Sequence, residues 1–314
     1  NGLFYDPESG QLIDLVGGKA DLEHRVIRAI GDPAARFRED HLRLLRAVRF
    51  ATTLQFTIET GTWAAIQACA PLILKISPER VRDELDRIWL SPQRLHGFDL
   101  LVDSGLMSMV LPEIIHLQGC EQPPNFHPEG DVFTHTRLML TYLPEEASLP
   151  LVLATLPHDI AKPATQTVDA DTGRIRFNTH DKLGAQMAAD ILRRLKYSNE
   201  IIDTVTSMVG NHMHFMHVKQ MRTSTLKRFL ARPHIDDELA LHRADCLGSN
   251  GLLDCYEFLQ EKRREFASAP QPLIPPPLLT GRDLIQLGWT PGPHFSEVLH
   301  EAQTLQPEGA LTTR

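Results

Sequence analysis

From Lys19 onward apolar residues recur at helical spacing, as in Leu44, Leu45, Val48 and Ala51. This pattern constrains the fold more than any other feature, because a 3.6-residue period cannot keep one face buried in a strand. A mainly α fold is therefore expected. Helix starts are signalled by Ser77-Pro78 and Ser91-Pro92, each a capping residue followed by Pro at the first helical position, and by the capping box Thr280-Gly281-Arg282-Asp283. The exception is at the N-terminus, where residues 3 to 16 alternate about Pro7-Glu8-Ser9-Gly10 and predict a β-hairpin, the only convincing β signal. With 314 residues, 42% of them apolar, the chain can bury two or three cores of ordinary size. Breaks are expected at Gly31-Asp32-Pro33, between Gly119 and Pro128, and from Pro270 to Pro277, where the frequent Pro is stiff and cannot continue a helix.

The net charge of −8 argues against a generic polyanion binder and leaves only local basic patches. No run approaches the length of a membrane span. Cys69, Cys120, Cys246 and Cys255 show no metal or disulfide spacing, which fits a reducing, cytoplasmic setting. One basic patch does stand out. Between His24 and Arg49 lie seven arginines, no lysine, and the acids Asp32, Glu39 and Asp40. If residues 38 to 52 are helical, Asp40 and Arg43 stand one turn apart with Arg46 a turn beyond. A carboxylate there could accept the exocyclic amino group of C or A while a guanidinium donates to the adjacent ring acceptor; U and G present the opposite pattern. The bare spacing also describes an ordinary salt-bridged surface helix.

Seven of the 15 histidines fall between His127 and His217, where an even spread would place about four. His135, His158, Asp159, His180, His212 and Asp245 each fall on or at the end of an expected helix. A bundle could point all six at one site for one or two divalent ions. Such an ion acidifies its water for attack on phosphorus, and Lys162, three residues past Asp159, could contact the phosphate. By contrast, Asp169-Ala170-Asp171-Thr172-Gly173 reads as a turn despite its paired carboxylates.

Taken together, these segments resemble the bacterial tRNA nucleotidyltransferase and poly(A) polymerase family, in particular CCA-adding members with an HD-type phosphohydrolase domain. Glu39-Asp40-His41-Leu42-Arg43 is similar to the family's E-D-x-x-R nucleotide-selecting motif, and Arg46 falls where a second nucleotide-contacting arginine stands. Ser77 to Leu85 resembles the following neck helix. His127-Pro128-Glu129, Thr134-His135-Thr136, His158-Asp159, Asn178-Thr179-His180-Asp181, Asn211-His212-Met213 and Arg243-Ala244-Asp245 resemble successive parts of the HD domain. Asn1-Gly2-Leu3-Phe4-Tyr5-Asp6-Pro7 looks like the end of the catalytic head.

The resemblance implies a mainly α protein, with a hairpin remnant of the head over residues 1–30 and a helical neck and body for nucleotide and RNA over 31–125. An HD bundle over 126–269 and a Pro-rich linker with C-terminal helices over 270–314 would follow. It implies tRNA, CTP and ATP as partners, Asp40, Arg43 and Arg46 with Glu39 as nucleotide-binding residues, and the six His and Asp residues as ligands of a divalent transition metal. Transfer itself needs Mg²⁺ held by two carboxylates that the family carries upstream of the N-G-L-F-Y region. The expectation is therefore a chain that selects the nucleotide without those carboxylates. Competing expectations are that the working chemistry is metal-dependent hydrolysis of cyclic or terminal phosphates, or that the HD region serves as an RNA-binding scaffold.

Overall fold

The computed structural model describes residues 2–269, 272–306, 308 and 310–311. Asn1, at the head of the N-terminal motif, and Pro270 and Gln271, at the start of the Pro-rich run, lie outside these residues. The chain forms two compact units, Asn1–His212 with Arg243–Gly251, and Met213–His242 with Leu252–Arg314.

The first unit opens with β1 (Leu3–Tyr5) and β2 (Leu12–Asp14), antiparallel with Leu3 opposite Asp14. Asp6 accepts the turn's Ser9 hydroxyl, and Gly10 takes the positive φ of 69° that the hairpin requires. Helix α1 (Gly18–Glu23) follows, begun by Asp14, whose carboxylate accepts from the Gly18 and Lys19 amides. Next come β3 (Val26–Ile27), α2 (Pro33–Glu39), α3 (Arg43–Leu54), β4 (Thr57–Ile58) and α4 (Thr60–Cys69). β3 and β4 pair in parallel, so the hairpin is not the sole β element. Asp32 caps α2 through the Ala35 amide, with Pro33 at its first position.

On α3, Leu44, Leu45, Val48 and Ala51 are all fully buried, as their spacing predicts. That face packs on α5 (Pro78–Trp89) and α6 (Arg94–Asp103). Gly97 allows the approach: a Cβ there would stand 2.4 Å from Ile88 and 2.9 Å from the Thr52 hydroxyl. Helix α6 starts at Arg94, two residues later than the Ser91-Pro92 signal implies. Ser91 is buried, and its hydroxyl accepts from the Gln93 amide, tightening the turn that precedes the helix.

Short helices α7 (Leu106–Val110) and α8 (Pro112–Ile115) lead into the histidine-bearing part: α9 (Val132–Tyr142), α10 (Leu149–Thr155), α11 (Lys162–Thr165), α12 (His180–Arg194) and α13 (Asn199–Asn211). Strands β5 (Gln166–Val168) and β6 (Ile175–Phe177) form a hairpin between α11 and α12. Its turn is Asp169 to Gly173, with Asp169 accepting from the Thr172 amide and hydroxyl, so these carboxylates serve the turn. Helices α12 and α13 pack closely against each other, and α10 packs on α13.

The second unit has its own apolar core, in which Phe215, Val218, Leu226, Phe229, Leu239 and Leu259 meet. Its helices include α14 (Thr223–Leu230), α16 (Asp254–Ala267), α17 (Gly281–Gln286) and α18 (Pro293–Leu305), while α15 (Ile235–Gly248) carries residues of both units. The expected capping box forms at α17, where Thr280 and Asp283 exchange bonds. Among the described residues no helix is long and apolar enough to cross a membrane.

Candidate functional site

Two clusters of polar side chains lie in the first unit. The arginine-rich segment is not the single helix that the spacing suggests. α2 stops at Glu39, Asp40 takes an extended conformation (φ −145°, ψ 103°), and α3 restarts at Arg43. Asp40 accepts from the Leu42 amide at 3.2 Å and lies 3.8 Å from Arg80, so its partner is not Arg43. Arg43 instead donates to Glu39 at 2.8 Å and to the Arg36 carbonyl at 2.9 Å, while Arg36 reaches the same Glu39 oxygen at 2.7 Å. Glu39, half-exposed, is held below the usual carboxylate range by these guanidinium groups. Arg43 and Arg46 line one pocket of about 180 Å³ together with Arg28 and Arg36, over an apolar floor that includes Phe37 and Phe50. Asp40 is not among its lining residues. Arg28 and Arg36 were visible in the sequence as part of the arginine run; nothing in their spacing marked them as facing Arg43. Arg49, the next arginine along α3, forms an ion pair with a buried Glu84 at 2.7 Å, outside hydrogen-bonding geometry.

The second cluster brings the six His and Asp residues together. Asp131 begins α9 by accepting from Thr134, which sets His135 one turn inside the helix, fully buried. His158 and Asp159 sit in a buried turn between α10 and α11 and not at the end of a helix, because Pro157 cannot continue the α10 hydrogen bonding. His180 opens α12, His212 closes α13, and Asp245 lies on α15.

The donor atoms form two triads, His135 with His158 and Asp245, and Asp159 with His180 and His212, the atoms of each lying within 4.8 Å of one another. Asp159 lies close to both groups: one oxygen is 3.0 Å from His158 Nε2 and the other 3.3 Å from His180 Nε2. The ring tautomers follow from the backbone. A carbonyl can only accept, so His158 Nδ1 facing Thr155 O, His180 Nδ1 facing Phe177 O and His212 Nδ1 facing Val209 O each carry the hydrogen. In the neutral rings every Nε2 is then a lone pair turned inward. His180 Nε2 and His212 Nε2 lie 3.1 Å apart, a separation that two facing lone pairs hold only around a proton or a cation. His135 Nε2 stands 3.1 Å from Asp245 and His158 Nε2 3.0 Å from Asp159, yet neither nitrogen is in hydrogen-bonding geometry. Atoms that are close but misaligned for a shared proton suit ligands converging on a common ion. On this ground the residues fit a divalent metal.

The electrostatics agree. Burial opposes the Asp159 charge, but His158 and Lys162 outweigh it and hold the carboxyl well below the usual range. Burial opposes a charge on His135 as well, yet Asp245 and Glu129 push it up to about 10. His180 is also raised, Asp159 overcoming burial, whereas burial pushes His212 down to about 4. Lys162, itself buried, forms an ion pair with Asp159 at 2.7 Å and donates to Gln122 Oε1 at 2.6 Å. That bond fixes the Gln122 amide, and its buried Nε2 has no hydrogen-bond partner among the described residues. Gln122, His127 and Glu129 all belong to this cluster. They come from an irregular segment closed by the Gly119 amide on Asp131 and the Val132 amide on Cys120 O, so helical periodicity could not reveal them. The sequence signal for His127 and Glu129 was the His127-Pro128-Glu129 motif itself; Gln122 had none.

A helical bundle that brings a His, a His-Asp pair and a later Asp around one centre has the arrangement of an HD-type domain. Residues 132–248 match the HD domain model, and residues 55–117 match the model described as the probable RNA and SrmB-binding site of polymerase A. An A-adding tRNA nucleotidyltransferase from Deinococcus radiodurans is 37% identical, the alignment covering 98% of this chain and 73% of that protein. A CC-adding tRNA nucleotidyltransferase from Thermus thermophilus is 32% identical over 98% of this chain and 71% of the relative. Among solved structures, the Bacillus stearothermophilus CCA-adding enzyme in complex with CTP shares the fold at a TM-score of 0.71 and 24% identity, with 99% of this chain and 68% of that one covered. The chain belongs to the tRNA nucleotidyltransferase family.

Proposed function

We propose that this chain is the nucleotide-selecting and RNA-binding part of a cytoplasmic enzyme that adds C or A to tRNA 3′ ends from CTP and ATP, with residues 31–125 as the neck and body. The observation that carries this reading is the pocket lined by Arg28, Arg36, Arg43 and Arg46. Four guanidinium groups at one opening suit a triphosphate and a base edge together. Glu39 orients Arg43; Asp40 lies at the break between α2 and α3, outside the lining of the pocket, and its role as acceptor for an exocyclic amino group rests on the E-D-x-x-R resemblance. Mg²⁺ belongs to the transfer step. The test is binding of CTP and ATP against UTP and GTP by the 314-residue chain. CTP and ATP should bind more tightly, and Arg43→Ala should weaken both by about tenfold, the worth of one good bidentate contact. Equal binding of all four nucleotides would sink the base-selecting role.

The second site supports a second activity, hydrolysis of phosphoesters, carried by the inward-facing Nε2 atoms. His135, His158, Asp159, His180, His212 and Asp245 would hold one or two divalent transition-metal ions, with Asp159 between them. A bound ion supplies an acidified water and offsets charge on a phosphate. Lys162 and the Gln122 amide offer donors to phosphate oxygens beside Asp159. A 2′,3′-cyclic nucleotide should turn over with added Mn²⁺, Ni²⁺ or Co²⁺, and Asp159→Ala should abolish the reaction. No turnover with any of these ions would leave the cluster as an RNA-binding scaffold.

A further inference from the structure

We propose that Glu129 is the positioning residue of His135, fixing Nε2 as its ligand atom and making the His135, His158 and Asp245 triad the tighter of the two metal positions. The inference rests on the metal reading above. Of the four histidines in the triads, three turn Nδ1 to a backbone carbonyl, a neutral acceptor. His135 Nδ1 also meets a carbonyl, Gly248 O at 3.3 Å, and differs in having a carboxylate beside it as well, Glu129 Oε1 at 2.8 Å in an ion-pair contact. A carboxylate behind an imidazole draws on the Nδ1 hydrogen, raises the basicity of Nε2 and locks the plane of the ring. Glu129 is suited to this task because it cannot easily turn away. Its side chain is only 6% exposed, the same Oε1 takes a hydrogen bond of 2.9 Å from His127 Nδ1, and the segment carrying it is closed at Asp131. His135 is itself fully buried on α9, so its ring has no freedom to present the other nitrogen.

His127, Glu129 and His135 could instead bind an ion directly, since their atoms also fall within 4.8 Å of one another. That alternative uses His135 Nδ1 and would turn the positioning contact into a ligand bond. The experiment is titration of the chelator-stripped 314-residue chain with Co²⁺, read by visible absorption and by bound-metal stoichiometry, for the wild type and Glu129→Gln. The expected result is two binding events in the wild type. In Glu129→Gln the tighter event should weaken by about 10- to 100-fold with a changed absorption band, while the weaker event and the stoichiometry stay unchanged. In the Zn²⁺-loaded wild type the His135 Nδ1 proton should give a slowly exchanging downfield resonance that moves upfield in the variant. Unchanged affinities would overturn the positioning role while leaving the metal site standing, and loss of one whole equivalent of Co²⁺ would overturn it in favour of direct ligation. A wild type that binds no Co²⁺ would remove the metal reading itself, and this proposal with it.

Discussion

The arginine pocket and the histidine-aspartate cluster handle charge in opposite ways. In the pocket, charges cluster along a short stretch of sequence, stay near solvent, and pair with whichever acid is close: Arg36 and Arg43 share Glu39, and Arg28 takes Asp21. Exposed pairs of this kind contribute little and exchange readily, which is what a ligand-binding surface requires. In the cluster, charges from residues more than a hundred positions apart are buried, and each ring has its orientation set by a carbonyl or carboxylate behind it. Rearranging them would strand a buried charge, so the site is organised before any ligand arrives.

The comparison breaks first at Asp159. If the two triads form one preorganised centre, Asp159→Asn should reduce metal affinity by more than a hundredfold at both positions, as followed by Co²⁺ titration. Independent loss at one position would show two separate sites. The same centre should lose metal as pH falls. Asp159 raises the proton affinity of His180, so a proton competes with the ion there, and binding should release protons and weaken steadily on acidification below neutrality. Next in size is the ion pair between Arg49 and Glu84. Glu84→Ala leaves a largely covered Arg49 without its partner and should cost about 3 kcal/mol of stability, seen as a lower melting temperature. Gly97→Ala should cost about 1–3 kcal/mol by forcing Ile88 and Thr52 away from the new Cβ.

How much of this was legible in the sequence depended on distance along the chain. The buried face of α3, the hairpin turn at Gly10, the Asp169 turn and the α17 capping box all rest on residues a few positions apart, and local spacing was enough. The break at Asp40 was not legible, since Glu39-Asp40-His41-Leu42 contains no Pro or Gly and the apolar period runs on through it. Nor was the β3–β4 pairing, two residues long and joining Val26 to Thr57. The six His and Asp positions were legible as an ordered set, but their division into triads needed the packed bundle. Glu129 stood in the His127-Pro128-Glu129 motif, but its contact to His135 was out of reach because it depends on closure of the loop from Gly119 to Asp131.

The smallest expected effects separate the two regions most cleanly, because they ask whether the pocket can lose an acid without cost to the fold. Arg36→Ala should weaken CTP binding by a few-fold with no change in melting temperature, its only side-chain partner among the described residues being the exposed Glu39. Glu39→Gln should leave the melting temperature unchanged as well, and should weaken CTP binding less than Arg43→Ala does. In that variant Arg43 keeps its bond to the Arg36 carbonyl and loses only the contact that aims its guanidinium. Added salt should narrow the gap between Glu39→Gln and the wild type, since a half-exposed ion pair is already screened at moderate ionic strength. A drop in melting temperature for Glu39→Gln comparable to that of Glu84→Ala would show that the pocket is as rigidly built as the buried cluster, and the contrast between the two regions would fail.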